Sequence, residues 1–301
     1  MSTSAQPALQ FPKSPAVQDF EHWHDWVLQY ARLMALGERG LASALPQRAA
    51  ASGHCMIFSP HPDDECIVGA LPLRLRREAG WRVSNIAVTL GSKLERRAER
   101  WQELEAACEL LGFEAQRLSE QGLEKVRPET QDLAPLLWAS HVERVAQLLS
   151  EARPDLVLVP HAGDGIATHM GVYHLVTQAL ARSGLRCLLA QTEYWSTQAH
   201  PNLMVETSCA DTALLVQALA CHRGEVERNP YHLRLPAWMA DNVRRGGEII
   251  GGAGSTPPAF GFATLYQLSL WGHGAWRQDL SPRLCPSTER LGALGMSAAA
   301  L

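Results

Sequence analysis

Cys55-Met56-Ile57-Phe58-Ser59-Pro60-His61-Pro62-Asp63-Asp64-Glu65 is the segment from which the architecture of this chain can be read. Its first half is a short apolar run that reads as a buried strand, and its second half is a polar turn rich in metal-binding residue types. Ile67 to Glu78 reads as the helix that follows. The same alternation continues down the chain. Val83 to Leu90 is the next strand and ends at Gly91-Ser92; Leu94 to Leu111 is a helix closed by Gly112 at its C-cap. Trp138 to Ala152 is a helix, Leu156 to Val159 a strand, Met170 to Arg182 a helix stopped at Gly184, and Leu185 to Thr192 a strand. Strands alternating with helices predict an α/β fold with a mostly parallel sheet flanked by helices, in a single domain.

Outside that core, Phe20, Trp23, Val27, Leu28, Ala31 and Met34 recur at helical spacing, which predicts an amphipathic helix over Val17 to Leu36. The expected organisation is an N-terminal helical extension over 1–50, the domain over 51–276 and a C-terminal tail over 277–301, frayed from about Ser287 onward. The chain's 301 residues suffice for one large core, and 46% apolar with 19% charged residues is an ordinary globular composition. A formal charge of -4 gives no electrostatic reason to expect nucleic acid. No run approaches the length of a membrane span, and Met1 to Asp19 lacks the pattern of a secretory signal. The seven cysteines form no C-x-x-C pair and read as reduced core thiols of a cytoplasmic protein.

In open α/β sheets, ligands sit beyond the carboxyl ends of the strands. Four expected strand ends run into His61 to Glu65, Gly91 to Lys93, His161 to His169, and Glu193-Tyr194-Trp195. A hydrolytic zinc needs three nitrogen or oxygen ligands and an open position. His61 and Asp64, three apart in one turn, supply two, and Asp63 stands beside them to take a proton. The third comes from 161–169, where His169 is the choice. The competing reading of the first turn is a polar cap on the next helix, since aspartates are favoured at helix N-termini.

Phe58-Ser59-Pro60-His61-Pro62-Asp63-Asp64-Glu65 resembles the first motif of the LmbE-like or PIG-L deacetylases, zinc-dependent N-acetylglucosaminyl hydrolases with a Rossmann-like fold. The resemblance extends through Gly91-Ser92 and Arg100-x-x-Glu103-Leu104 to Arg182, and it implies His61 and Asp64 as ligands and Asp63 as general base. It is looser beyond, where Asn229-Pro230-Tyr231-His232 through Arg244-Arg245-Gly246 looks like a part shared by one bacterial branch. The second motif departs from the family's His-Pro-Asp-His. Ile166-Ala167-Thr168-His169 keeps the last histidine, a ligand, but puts Ile166 where the family has a histidine serving the oxyanion or the leaving amine. His161 is the first choice to replace it and His174 the second. Asp164 is placed to orient a ligand histidine.

Further substrate contacts are expected from Lys93 and Arg96, against a phosphate or carboxylate, and from Glu193, Tyr194 and Trp195, against a sugar face. Arg100 continues the basic run; a solvated helix face is the plainer reading of all three cations, and it is the reading given to Arg74, Arg76 and Arg77. The glycines at 246–247 and 251–254 read as turns, since they match no nucleotide-binding pattern, and no G-x-S-x-G elbow is present. The resulting expectation is an enzyme with one Zn2+ that deacetylates an N-acetyl amino sugar or its conjugate, a small-molecule substrate. Two alternatives stand beside it: an amidase on a thiol conjugate or other non-sugar amide, and a lapsed, metal-stabilised sugar-binding protein, motivated by Ile166. Assembly into a homo-oligomer is left open.

Overall fold

Strand β1 (His54–Ser59) is buried along its whole length, and its alternation explains the layers around it. Cys55 and Ile57 join one apolar cluster while Met56 and Phe58 join another, so both faces of the sheet are covered. The computed structural model describes residues 20–35, 53–272, 275–277 and 280–291. Helix α1 (Phe20–Ala35) precedes β1 in the chain. After β1 come α2 (Asp64–Ile67), α3 (Ala70–Ala79), β2 (Arg82–Ala87), a 3-10 turn (Leu94–Arg96) leading into α4 (Arg97–Leu111), and β3 (Glu114–Arg117). Helices α5 (Thr130–Leu133) and α6 (Pro135–Ala152) lead to β4 (Leu156–Pro160), α7 (Ala167–Ser183) and β5 (Cys187–Thr192). Residues beyond Thr192, where no helix or strand was assigned from the pattern, add β6 (Leu203–Thr207), α8 (Cys209–Leu219), α9 (Arg223–Arg228), α10 (Leu235–Gly251), β7 (Phe262–Gly272), β8 (Ala275–Arg277) and β9 (Arg283–Cys285), and α10 runs through Gly246 and Gly247, where a turn was expected.

The sheet runs β3-β2-β1-β4-β5-β7-β6-β9, with β8 paired to β7. Strands β3, β2, β1, β4 and β5 are mutually parallel, and β7 enters antiparallel between β5 and β6. The expected α/β fold with a mostly parallel sheet flanked by helices is what forms. From β1 the chain moves out to β2 and β3, then crosses back to β4 on β1's other side. The β1/β4 boundary is therefore the switch point at which such sheets leave a crevice.

Several boundaries differ from expectation. The helix expected over Ile67 to Glu78 is broken at Val68-Gly69, because α8 presses there: a Cβ on Gly69 would stand 2.3 Å from the Leu215 side chain. The strand expected to reach Leu90 ends at Ala87, and the next residues turn toward β1, with the Val88 and Thr89 N–H groups bonding the Ser59 and Pro60 carbonyls. Helix α6 starts at Pro135, a residue suited to a first helical turn, and α7 at Ala167, which puts His169 inside the helix. Gly112 caps α4 as expected, at φ 70°.

Helix α1 buries Trp23, Val27 and Ala31 in the same cluster as α8; the rest of the expected 1–50 extension lies outside the described residues. The tail expected beyond 276 is corrected in part. Strand β9 pairs with β6, and Ser287 and Leu291 are buried. Arg74, 1% exposed, holds this segment: its guanidinium pairs with Glu78 and donates to the carbonyls of Glu206, Cys285, Pro286 and Glu289. An arginine that reads as solvated in the sequence is thus a buried staple. No described helix is long and apolar enough to cross a membrane.

Candidate metal and hydrolytic site

His61 leaves the end of β1 and His169 stands in the first turn of α7, two elements that flank the switch point. The His61 Nδ1 and His169 Nε2 atoms are 3.2 Å apart. Asp64 Oδ2 completes a triangle, 3.6 Å from His61 Nδ1 and 3.5 Å from His169 Nε2. Ligand atoms on a tetrahedral zinc with bonds of about 2.1 Å are separated by about 3.4 Å, so the three fit one ion with little movement. Asp64 is fixed for this by the His61 N–H, which donates to Oδ2 at 2.9 Å. His169 is fully buried, and its other nitrogen stands 3.1 Å from Asp164 Oδ1, bent off the hydrogen-bond axis. Asp164, also fully buried, accepts the Trp195 N–H on Oδ2 at 3.3 Å.

Asp63 sits at φ 118°, left-handed backbone that a non-glycine residue rarely adopts. Its side chain makes no helix cap, so the polar-cap reading of this turn fails: helix α2 spans only Asp64–Ile67. The carboxylate instead meets Tyr231, whose hydroxyl donates to Oδ2 at 2.7 Å. Its N–H donates to Glu65 Oε2 at 3.1 Å, and Arg100 donates to the neighbouring Pro62 carbonyl at 3.0 Å. In the metal-free protein, burial and then the Asp64 charge push the Asp63 carboxyl up to about 7. Burial also acts to raise Asp64, but His169 and His61 outweigh it and hold Asp64 below the usual carboxylate range. Burial acts to lower His169, yet Asp64 and Asp164 leave it above the ordinary imidazole value.

A second trio, Glu65, Cys66 and His222, lies close by and fully buried. Here His222 Nε2 and Glu65 Oε1 are 2.7 Å apart, a direct hydrogen bond too short to bracket a metal. That bond holds Glu65, and His222 is raised by Glu65 against the lowering effect of burial.

The remaining expected site residues divide. Tyr194 packs edge-on against the His169 ring at 4.8 Å, and Trp195 is 61% exposed next to it. Glu193 is corrected: it is buried, accepts the Gln198 N–H at 2.6 Å and is paired with Arg245, which leaves it no free face for a sugar. Arg96 is likewise committed, to Glu99, Glu103 and Glu225. Lys93 is exposed where the 3-10 turn begins. His161 Nε2 donates to the Ser196 carbonyl at 2.8 Å, and no hydrogen bond or ion pair among the described residues links its side chain to His61, Asp63, Asp64 or His169. His174 packs against Tyr173 and is lowered by burial. Tyr231 and His222 carried no sequence signal of a role; Tyr231 lay in a quoted motif, Asn229-Pro230-Tyr231-His232, to which no chemistry could be attached.

Residues 56–180 match the family model described as PIG-L: GlcNAc-PI de-N-acetylase. No curated protein matches the chain. Among solved structures, the conserved protein TT1542 from Thermus thermophilus is similar at 19% identity and a TM-score of 0.52, over 70% of this chain and 92% of that one. N,N'-diacetylchitobiose deacetylase from Pyrococcus horikoshii is similar at 17% identity and 0.53, over 72% and 83%. GalB, the 4-carboxy-2-hydroxymuconate hydratase from Pseudomonas putida KT2440, is similar at 18% identity and 0.52, over 72% and 95%. These likenesses establish a shared fold, and a deacetylase beside a hydratase shows that the fold alone does not set the reaction.

Proposed function

We propose that the protein is a zinc-dependent hydrolase of the PIG-L (LmbE-like) type that removes the acetyl group from an N-acetyl amino sugar or its conjugate, a reading supported by the match of residues 56–180 to that family's model. The observation that carries the reading is the triangle of His61, Asp64 and His169 at tetrahedral spacing, with the buried carboxylate of Asp63 next in the chain to Asp64. His61, Asp64 and His169 would hold the ion, and Asp164 orients His169 from behind. When bound, zinc lowers the pKa of a water at its open position and polarises the acyl carbonyl.

Asp63 accepts the proton of the attacking water, and the amide C–N bond breaks as the nitrogen takes a proton back from the same carboxyl. His161 was the other candidate donor; its Nε2 proton is engaged by the Ser196 carbonyl, which favours Asp63 for both transfers. Half-buried Tyr194 borders His169, and it and the exposed Trp195 that follows are suited to the apolar face of a sugar ring. The described cysteines are all free, which supports a reducing, cytoplasmic setting.

The test is metal analysis combined with acetate release from N-acetylglucosamine conjugates by the wild type and by Asp63→Ala. Bound zinc with hydrolysis abolished in Asp63→Ala supports the reading. A zinc-loaded wild type inert toward every amide in a panel that includes thiol conjugates defeats the enzymatic claim. Turnover of a non-sugar amide alone redirects it to the amidase alternative, and glycan binding without turnover redirects it to the lapsed binding protein suggested by Ile166.

A further inference from the structure

Three side chains from one short segment, His222 to Tyr231, converge on the turn Pro62-Asp63-Asp64-Glu65. Tyr231 donates to the Asp63 carboxylate at 2.7 Å. His222 holds Glu65 Oε1 at 2.7 Å, and the other oxygen of Glu65 accepts the Asp63 N–H at 3.1 Å. Glu225, on α9, lies 3.7 Å from Arg100, whose other nitrogen donates to the Pro62 carbonyl at 3.0 Å. The carboxylate, the backbone N–H and the preceding carbonyl of one residue are thus each tied, directly or through one partner, to the same segment. That segment lies outside the 56–180 family match.

We infer that His222 to Tyr231 is a clamp that positions Asp63, with Tyr231 the positioning residue for its carboxylate. The inference rests on the reading of Asp63 as the proton acceptor. Two physical facts make a clamp necessary. Asp63 occupies left-handed backbone at φ 118°, which persists only where the surroundings over-determine it, and the Glu65–His222 pair supplies that constraint from a site with no exposure to solvent. A carboxylate on a single Cβ also swings freely about its last torsion, and the phenol, by holding Oδ2, fixes that torsion. An error of about 1 Å in such a group costs about 100-fold in rate. Tyr231 therefore acts on the reaction through Asp63.

The experiment uses the zinc-loaded full chain with Tyr231→Phe, which keeps the ring and deletes the hydroxyl, on the N-acetylglucosamine conjugate that the wild type turns over fastest. The expected result is unchanged zinc content, KM within about twofold and kcat lowered about 10–100-fold. A crystal structure of the variant is expected to show the Asp63 carboxylate rotated or split between two positions. His222→Leu is expected to lose activity similarly, and His222→Gln, which restores an N–H donor toward Glu65, to recover part of the loss. Wild-type kcat in Tyr231→Phe with Asp63 unmoved overturns the clamp. If the wild type proves inert toward every amide, the functional reading falls by itself, and the clamp is judged by the crystal structure: a displaced Asp63 sustains it and an unmoved one overturns it.

Discussion

Replacing Asp164 tests whether the triangle of His61, Asp64 and His169 is a metal site held from behind. Asp164 and His169 are both fully buried and meet at 3.1 Å, while the other Asp164 oxygen accepts the Trp195 N–H. A hydrogen bond to a charged group contributes about 1.5–3 kcal/mol, and the bent approach at His169 places this one toward the lower end. Loss of a carboxylate partner behind a ligand histidine typically weakens metal binding about 10–100-fold, or about 1.4–2.7 kcal/mol, which agrees. Asp164→Asn keeps the volume and one acceptor, so zinc affinity is expected to fall about 10-fold. Asp164→Ala also strands the Trp195 N–H and is expected near 100-fold. Competition with a chromophoric chelator at fixed pH measures both, with urea unfolding of the metal-free proteins as control. That control has its own sign. Burial acts to lower His169, but Asp64 and Asp164 raise it above 6.5, so their pairing stabilises fully below that pH and the contribution is lost as pH rises through the raised value. Metal-free Asp164→Asn should therefore lose more stability relative to wild type at pH 6 than in mildly alkaline buffer. Zinc binding within twofold of wild type by Asp164→Ala would show that His169 needs no carboxylate behind it.

Because Asp64 and Asp164 raise His169 above the ordinary imidazole value and the Asp63 carboxyl is pushed up to about 7, zinc binding near pH 6.5 should release protons; titration calorimetry in buffers of different ionisation enthalpy checks this, and a buffer-independent heat counts against it. Arg74→Met strands Glu78 and four backbone carbonyls of β6 and the C-terminal segment. A loss of about 3–5 kcal/mol in denaturant unfolding is expected, with earlier proteolysis of residues 283–291. Gly171→Ala adds a Cβ 2.5 Å from the Val126 carbonyl oxygen and 2.7 Å from Arg127 Cα, backbone atoms that cannot swing aside. Despite the helix preference for alanine, the net expectation is a loss of about 1–3 kcal/mol and weaker zinc binding as α7 shifts His169; an unchanged unfolding midpoint contradicts it.

The parallel half of the sheet and the meeting of His61, Asp64 and His169 at one sheet edge were legible in the chain alone. Buried strands read as apolar runs because both faces are covered, and β1, β4 and β5 stood out for that reason. His61, Asp64 and His169 could be paired across the chain because strand ends in such a sheet share one edge, and β1 and β4 are neighbours there. Strand β3, the exposed Glu114–Arg117, has no apolar run to read. Which charges were already spoken for emerged only once the elements were packed together. Glu193 and Arg96 look like free site residues until Arg245 and the Glu99, Glu103 and Glu225 carboxylates are in place, and Arg74 looks solvated until β9 folds over it. Tyr231 and His222 were invisible for the same reason. A hydrogen bond joining residues 168 apart leaves no periodicity or spacing in the chain; it exists only because the fold brings the α9 segment against the strained turn at Asp63.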